Sequence, residues 1–325
     1  MDQERDEDMK DVIEIAVQNE TGSIWDKAAE YFNGKPIHVL EIGVFRASQI
    51  EKAYSCCNIK SYIGVDPYLG DISDPYKGAY WRNEVDAYRV YEQSKKKFEN
   101  IEGAELLKTT SEIFFRSIDK DRKFDVIFVD GNHYFRYALQ DMICGFYYLN
   151  VGGVMIVDDY GNVDTPEVTR AVNCFLEMNY EYISSVDERV HWFKNRGKHI
   201  PICDKDIYIF KKSELFKPNL PRDYEKKYLW GTGKAAREYL EIWNGQVVFD
   251  GVLDNGILDD RSWNGLKQYN INEVSKDNSL IVVATYIYYD EIKEQLCSLG
   301  YEEGVNFINA AVYEAFMLNS WLDKE

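Results

Sequence analysis

Short apolar runs recur along the first half of the chain, and each is followed by a stretch with a helical pattern. Five such runs with residues typical of β-strands cover residues 37–40, 62–65, 104–107, 126–129 and 154–157. Continuous apolar strands that alternate with helices are typical of a parallel sheet that is covered on both faces. We therefore predict an α/β fold with a doubly wound, mostly parallel sheet.

Four of the five runs end in an acidic residue, and these residues are Glu41, Asp66, Asp130 and Asp158. In an open α/β sheet the ligand lies beyond the carboxyl ends of the strands. Carboxylates at those ends are therefore expected to face a ligand and not the core.

Later runs predict the end of this sheet and a second domain. Residues 183–186 and 207–210 are expected to add an antiparallel pair, and the stretch from Lys211 to Lys227 holds Pro218 and Pro221 among charged residues, which favours a linker. A second, smaller α/β unit then begins, with strands predicted at 228–230, 247–249 and 280–284. The predicted domains are residues 1–215 and 222–325.

Composition and charge narrow the class of protein. The net charge of -18 repels a phosphate backbone, and the short run Lys95-Lys96-Lys97 is better interpreted as an exposed helix face, so a nucleic-acid partner is not expected. No apolar run is long enough for a membrane span. The acidic segment 1–10 does not resemble a secretion signal, and six cysteines without a C-x-x-C pair favour a reduced, cytoplasmic protein.

A glycine turn follows the first apolar run. At Gly43 the absence of a side chain lets the backbone pass close to a ligand, and a helix is predicted to begin near Ala47 with free N–H groups. Asp66 ends the second run, 25 residues after Glu41, where an acid can accept both hydroxyls of a ribose. A tight strand–helix connection is the alternative interpretation of the turn, and Asp66 favours the nucleoside site.

Four segments resemble motifs of the class I S-adenosylmethionine-dependent methyltransferases, in the same order and at similar spacing. Residues 39–48 resemble motif I, with Ala47 in place of its last glycine, and residues 63–67, 123–133 and 151–160 resemble the later motifs. The resemblance covers residues 35–210 and implies S-adenosylmethionine as cofactor, with its methionine part at the turn, its ribose on Asp66 and its adenine near Ser111 and Glu112. The cofactor-binding residues implied are Glu41, Gly43, Val44, Phe45, Ala47, Asp66, Ser111 and Glu112.

Three carboxylates are predicted to converge at the ends of the fourth and fifth strands. These strands are neighbours in this fold class, about 4.8 Å apart, so Asp130 and Asp158 would project from adjacent ends, and Asp159 joins them if the chain bends at Gly161. Converging carboxylates repel one another unless a cation or proton intervenes, and oxygen ligands select a hard cation such as Mg²⁺. Alternatively, Asp158 and Asp159 only close a turn, and Asp130 binds the cofactor amine.

His133 lies three residues after Asp130, in the loop that leaves the fourth strand. A neutral imidazole near pH 7 is a natural acceptor for a hydroxyl proton, and Mg²⁺ would lower the pKa of a bound hydroxyl. His133, with Asp130, is therefore the candidate catalytic residue for transfer of a methyl group to oxygen. A helix cap is the alternative role for His133.

The segment Asp130-Gly131-Asn132-His133 and the pair Asp158-Asp159 resemble those of metal-dependent sugar O-methyltransferases of the macrolide-tailoring type. The resemblance implies Mg²⁺ on Asp130, Asp158 and Asp159, His133 as base, and a sugar hydroxyl of a glycan precursor or glycosylated small molecule as acceptor, with a nucleotide-linked acceptor as one option. Similar domains also occur in enzymes that decorate surface polysaccharides.

Three alternatives remain open at this point. The first is N- or C-methylation of a sugar nucleotide without a metal, and the second is a non-catalytic scaffold that binds sugar nucleotides. The third is a nicotinamide-dependent oxidoreductase, which would use the glycine turn of the second domain at Gly231.

The second domain contains a further glycine turn. Gly231-Thr232-Gly233 opens a G-x-G-x-x-A pattern after a predicted strand, and Asp254 follows 23 residues after Gly231. This pattern predicts a nucleotide site, but the domain is too short for both halves of a dinucleotide fold, so a mononucleotide or sugar nucleotide is expected. The domain resembles small Rossmann-like modules of bacterial glycan enzymes. The alternative is a domain used for packing or dimerisation. Dimerisation would make the protein a homo-oligomer.

Overall fold

The computed structural model describes residues 23–69, 84–194, 201–213, 224–242, 247–256, 261–285 and 288–314. Contacts divide the chain into two compact units, Met1–Phe216 and Lys217–Glu325. The division falls within the predicted linker, whose residues Pro218 and Pro221 lie outside the described part of the chain, as does the acidic segment 1–10.

Seven strands and six helices make up the described part of the first unit. The strands are β1 (Ile37–Ile42), β2 (Ile59–Val65), β3 (Ala104–Leu107), β4 (Phe124–Val129), β5 (Leu149–Tyr160), β6 (Ile183–Lys194) and β7 (Pro201–Lys211). The helices are α1 (Trp25–Phe32), α2 (Gln49–Cys56), α3 (Glu84–Glu99), α4 (Ser111–Ser117), α5 (Phe135–Tyr148) and α6 (Pro166–Asn179).

The seven strands form one sheet in the order β3-β2-β1-β4-β5-β7-β6. Strands β1 to β5 are parallel, and β7 and β6 close the sheet as an antiparallel pair. Ile42 is in register with both Val65 and Val129, and Val129 is in register with Val157. The predicted α/β fold is confirmed, and the carboxyl ends of the four strands that end in acids are level at one edge.

The central strands are buried because helices cover the sheet. On one face Val39, Phe128 and Ile156 belong to a buried cluster that also contains Trp25 of α1 and Phe98 of α3. Each of these side chains is at most 2% exposed, and burial of an aliphatic or aromatic side chain of this size contributes about 1.5–3 kcal/mol. The core therefore fixes the strand ends on which the candidate site depends.

Two predicted boundaries in this unit are wrong by a few residues. The helix after the first turn begins at Gln49, because Phe45 and Ala47 have positive φ angles and cannot be helical. Lys211 belongs to β7 and not to the linker, and its buried amine donates to the carbonyl oxygens of Phe146 and Leu149 at 2.7 Å.

The second unit is a smaller α/β body with its own sheet. Its strands are β8 (Lys226–Trp230), β9 (Gly251–Leu253), β10 (Ser262–Trp263), β11 (Leu266–Tyr269), β12 (Ser279–Val283) and β13 (Phe307–Asn309), and its main helices are α7 (Lys234–Ile242) and α8 (Tyr289–Ser298). The order is β10-β11-β9-β8-β12-β13, and all pairs are parallel except β10 with β11.

The strand predicted at 247–249 is wrong, because the chain joins β8 only at Asp250. The backbone N–H of Asp250 donates to Lys227 at 2.8 Å, and its carboxylate accepts the N–H of Lys227 at 2.9 Å. The strand β9 therefore starts at Gly251, where a Cβ would lie 2.5 Å from the ring of Tyr269. No helix in the described part of either unit is long and apolar enough to cross a membrane.

Candidate functional site

The turn after β1 brings the backbone of β1 against the end of β4. Gly43 has a φ angle of 88°, and a Cβ at this position would lie 1.8 Å from the carbonyl oxygen of Asp130. The N–H of Gly43 donates to Val65 at 2.9 Å, and the N–H of Asp130 donates to Ile42 at 2.8 Å. Glycine is required here because both the φ angle and the close approach exclude a side chain.

Helix α3 holds the rest of this turn. Phe45 and Ala47 have φ angles of 48° and 52°, which cost about 1–3 kcal/mol each in residues other than glycine. The hydroxyl of Ser94 donates to the carbonyl oxygen of Phe45 at 2.8 Å, and the amine of Lys97 donates to that of Ala47 at 3.0 Å. Val44 and Ala47 are buried, whereas Phe45 is partly exposed at the edge of the sheet.

Asp66 anchors the same turn from the end of β2. Its carboxylate accepts the backbone N–H groups of Val44 at 3.0 Å, Phe45 at 2.8 Å and Tyr68 at 2.7 Å. Burial raises the pKa of Asp66, and these three hydrogen bonds oppose that shift. A carboxylate has about four acceptor positions, so most of its capacity is used by the protein. The expected contact with a ribose therefore shares this carboxylate with the turn.

The structure corrects the expected position of Glu41. This residue lies on the same face of β1 as Val39, so it points into the core and is only 1% exposed. The hydroxyl of Tyr62 donates to its carboxyl at 2.8 Å. Burial raises the pKa of Glu41 to about 8, the hydrogen bond from Tyr62 lowers it, and the charge of Asp66 raises it. Glu41 lies beneath the turn and does not line the edge of the sheet.

Ser111 and Glu112 form the first turn of α4, which Thr110 caps by accepting the N–H of Ile113 at 3.3 Å. Ser111 forms a hydrogen bond with Asp141, and Glu112 forms a salt bridge with Arg116. Burial raises the pKa of Asp141 to about 7, and the bond with Ser111 opposes that shift.

Sequence reasoning missed Asp141, which lies in α5 and is only 3% exposed. If Gly131 carried a Cβ, that atom would lie 3.1 Å from the carboxylate of Asp141. Asp141 therefore connects the loop after β4 with the start of α4. The available signal was a single acid inside an otherwise apolar helical pattern.

Asp130, His133 and Asp159 converge at the ends of β4 and β5. Each offers one ligand atom, and these atoms all lie within 4.8 Å of one another. The Nε2 atom of His133 is 2.7 Å from the carboxylate of Asp159, and each side chain is 17% exposed. The amide of Asn162 donates to the other oxygen of Asp159 at 2.9 Å.

The electrostatic balance keeps Asp159 ionised. Burial alone would raise the pKa of Asp159, but the hydrogen bond and charge of His133 and the amide of Asn162 outweigh it, so the pKa is lowered. The charged carboxylate would stabilise a proton on the imidazole of His133. The pair is therefore suited to accept a proton.

The same three groups also fit a divalent cation. Two carboxylates and one imidazole are ligand types found at Mn²⁺, Zn²⁺ and Fe²⁺ sites, and the carboxylates alone suit Mg²⁺. The Nδ1 atom of His133 is buried, so an incoming ligand reaches His133 at Nε2. In this geometry a cation and the His133–Asp159 pair use the same carboxylate.

Asp158 is not part of this cluster, contrary to the expectation that it shares a metal with Asp130 and Asp159. Among the described residues, the group that could hold a metal contains His133 in its place. Adjacent residues of a strand point to opposite faces, and the carboxylate of Asp158 accepts the N–H of Asp159 at 2.9 Å. Asp159 has a φ angle of 64° and the following Gly161 one of 79°, so the bend expected at Gly161 begins at Asp159.

In the second unit, the turn after β8 has the predicted form. Gly231 has a φ angle of 122°, and a Cβ there would lie 3.1 Å from the carbonyl oxygen of Ala284. Among the described residues, no atom lies within 4 Å of a Cβ built on Gly233. The hydroxyl of Thr232 donates to the carboxylate of Asp254 at 2.7 Å, and helix α7 follows.

Comparison with known proteins finds a family match within the first unit. Residues 40–160 match the model of a methyltransferase domain family. The matched segment extends from β1 to the end of β5 and includes the turn at Gly43, Asp66 and the Asp130–His133–Asp159 cluster. The mostly parallel seven-stranded sheet of this unit is the doubly wound α/β architecture that the sequence predicted.

Individual relatives are distant. An uncharacterised protein, R132, of Acanthamoeba polyphaga mimivirus is 28% identical over 157 residues, which cover 46% of this chain and 64% of the viral protein. The N-methyltransferase NodS of Bradyrhizobium japonicum is similar with a TM-score of 0.40 and 13% identity, over 62% of this chain and 96% of NodS. The O-methyltransferase TomG of Streptomyces achromogenes has a TM-score of 0.38 and 15% identity, over 54% and 73%.

Proposed function

We propose that the protein transfers the methyl group of S-adenosylmethionine to a hydroxyl group of a sugar in a glycan precursor or glycosylated small molecule. The observation that carries the proposal is the pair of His133 and Asp159, with Asp130 beside it, at the edge of a methyltransferase domain. A hydroxyl is a weak nucleophile until its proton is removed, and a histidine held by a carboxylate removes protons near neutral pH.

The cofactor is proposed to bind over the turn at Gly43, where S-adenosylmethionine supplies an electrophilic methyl group. The backbone of this turn is strained, and hydrogen bonds to the carboxylate of Asp66 and from the hydroxyl of Ser94 on α3 hold it in place. The turn is therefore pre-organised for a ligand. Ser111 and Glu112, at the first turn of α4, are proposed to lie beside the adenine.

The sugar acceptor is supported by the resemblance of the Asp130–His133 segment and the acidic pair to sugar O-methyltransferases. His133 is proposed to take the hydroxyl proton, and Asp159, whose carboxylate lies 2.7 Å from the Nε2 atom of His133, is proposed to stabilise the imidazolium that forms. The oxygen then bonds to the methyl carbon as the carbon–sulfur bond breaks. The reaction balances because His133 gains the proton that the hydroxyl loses, and the sulfonium becomes a neutral thioether when it gives up its methyl group.

The test of the base is the variant His133→Ala, with His38→Ala as the matched control. His38 lies near the opposite end of β1 and contacts Ser61, so its loss should leave turnover unchanged. His133→Ala should lower the turnover with a sugar acceptor by about 10²–10⁴-fold, while affinity for S-adenosylhomocysteine stays within a few fold. Turnover of His133→Ala equal to that of the parent would contradict the base role.

A divalent cation, expected to be Mg²⁺, is proposed to bind Asp130 and Asp159. Methyl transfer should then fall in EDTA and return with Mg²⁺. The adjacent residues provide a matched pair, because Asp159→Asn should abolish the response to the metal, whereas Asp158→Asn should keep it. Full activity in chelator would instead favour a metal-free reaction on nitrogen or carbon, and a response lost only in Asp158→Asn would contradict the ligand set.

A second candidate function concerns the smaller unit, which we propose binds a mononucleotide or sugar nucleotide. It is supported by the order β11-β9-β8-β12-β13, in which the chain passes from β8 to β9 on one side and from β12 to β13 on the other, and by the open space at Gly233 beside this switch point. Nucleoside diphosphate sugars should protect residues 229–237 from hydrogen exchange. Gly233→Val fills the open space without a clash in the fold and should remove that protection. If no such ligand changes the exchange, the unit serves packing or dimerisation.

A further inference from the structure

A single carboxyl group is buried directly beneath the proposed cofactor turn. Glu41 lies two residues before Gly43 and is 1% exposed. The hydroxyl of Tyr62 donates to it at 2.8 Å and is its one hydrogen-bond partner among the described residues. The proposed reaction gives this group no role.

The elements packed around Glu41 offer few charges. From β2, Tyr62 contacts it and Asp66 follows at the strand end, and Glu41 also interacts electrostatically with Tyr68, which follows that strand. On α2, the ring centre of Tyr54 is 6.2 Å from that of Tyr62. On α3, the amine of Lys97 donates to carbonyl oxygens of the turn. The hydrophobic cluster on this face of the sheet includes Trp25, Phe98 and Phe128.

This environment disfavours a negative charge on Glu41. An ionised carboxylate that is removed from water needs a cation or several donors, and here it has one neutral donor. Burial raises the pKa of Glu41 to about 8. The group is therefore mostly protonated at neutral pH in this environment.

The two forms of the cofactor differ by such a charge. S-adenosylmethionine carries a sulfonium, and S-adenosylhomocysteine carries a neutral thioether in the same place. A positive charge acts on a buried carboxyl across several ångströms because the intervening protein screens it poorly. We propose that Glu41 senses the charge of the cofactor: it keeps its proton beside S-adenosylhomocysteine and releases the proton when S-adenosylmethionine binds. This inference rests on the proposed cofactor site.

The linkage gives the protein a way to discriminate substrate from product. Ionised Glu41 attracts the sulfonium, so S-adenosylmethionine binds more tightly as the pH rises, while S-adenosylhomocysteine gains nothing. After methyl transfer the sulfonium has become a thioether, and Glu41 takes up a proton again. The product therefore loses an attraction that the substrate had.

The test is isothermal titration calorimetry of the full chain at pH 7.5, in two buffers with different heats of ionisation. If the sulfonium lowers the pKa of Glu41 by one unit from about 8, about half a proton is released per S-adenosylmethionine bound. The expected release with S-adenosylhomocysteine is smaller by that amount. Glu41→Gln, which keeps the shape of the side chain, should remove the difference between the two ligands.

Two further variants separate this role from a structural one. Tyr62→Phe removes the donor that favours the ionised form, so the pH of maximal proton release should move upward. Asp206→Asn removes another buried carboxyl, which lies on β7 and forms a salt bridge with Arg189, and should leave the difference between the ligands intact. Equal proton release with both ligands in the parent, or a difference that persists in Glu41→Gln, would overturn the inference. Binding of neither ligand would instead refute the proposed cofactor site.

Discussion

Gly43→Ala tests whether the contact between β1 and β4 shapes the candidate site. The added Cβ would lie 1.8 Å from the carbonyl oxygen of Asp130, 2.4 Å from its carbon and 2.8 Å from the Cα of Gly131. All three are backbone atoms in the middle of the sheet, so neither side can move by a change of rotamer. The turn has to separate from β4 by more than about 1 Å before van der Waals contact is restored.

The cost can be estimated from the bonds at this contact. Separation of the two strand ends weakens the hydrogen bonds from Gly43 to Val65 and from Asp130 to Ile42, each with a net contribution of about 0.5–1.5 kcal/mol. The positive φ angle adds about 1 kcal/mol for alanine. Together these terms predict a loss of about 2–4 kcal/mol, which lowers the melting temperature by about 4–16 °C for a unit of this size.

Gly34→Ala is the matched control. Gly34 precedes β1 with a φ angle of 75°, and in the part of the chain that the structure describes no atom lies within 4 Å of a Cβ built there. This variant carries the cost of the φ angle without the clash, so its loss should be only about 1 kcal/mol. Thermal unfolding and calorimetry with S-adenosylhomocysteine measure both effects. Equal shifts in the two variants, or parent-like cofactor binding in Gly43→Ala, would refute the reasoning.

Two other predictions concern the acids near the turn. Asp66→Ala leaves three backbone N–H groups without their acceptor, so it should weaken S-adenosylhomocysteine binding by about 1–3 kcal/mol; Asp66→Asn, which keeps one acceptor oxygen, should lose less, and calorimetry that finds the two variants equal would contradict this. The raised pKa of Glu41 means that the folded state holds a proton that the unfolded state releases, so this group makes stability fall as the pH rises from about 4.5 to about 8. Denaturant midpoints should show Glu41→Gln gaining on the parent by a few kcal/mol across that window, and parallel curves would argue against a neutral Glu41.

The fold could be predicted because the same pattern, an apolar run followed by a helical stretch, recurs along the chain. Four of the five parallel strands of the first sheet contain an apolar run that is buried on both faces, and the alternation with helices leaves few other topologies. The short strand β9 escaped prediction because it has only three residues and begins at Gly251. The apolar run 247–249 before it packs outside the sheet, where Phe249 contacts Tyr239. Hydrophobic patterning does not distinguish such a segment from a strand.

The candidate site could be predicted only in part, because the direction of a side chain at a strand end depends on the backbone angles of a single residue. A strand alternates its side chains, so the period predicts a carboxylate on one face or the other only while the strand continues. Asp159 has a φ angle of 64°, so it no longer follows the alternation of the strand, and its carboxylate turns towards His133. Asn and Asp adopt this conformation more readily than most residues, but the sequence does not indicate which of two adjacent acids does so.

The acids at the strand ends show why a shared position in the pattern does not imply shared chemistry. Glu41 has one donor in a buried setting, so the neutral form is favoured. Asp66 follows the end of β2, two residues beyond the partner of Glu41 in the sheet, and accepts three backbone N–H groups, which oppose the effect of burial. Asp159 faces an imidazole, which lowers its pKa. What each carboxylate can do is decided by the donors and charges around it, and the neighbouring strands bring those together from distant parts of the chain.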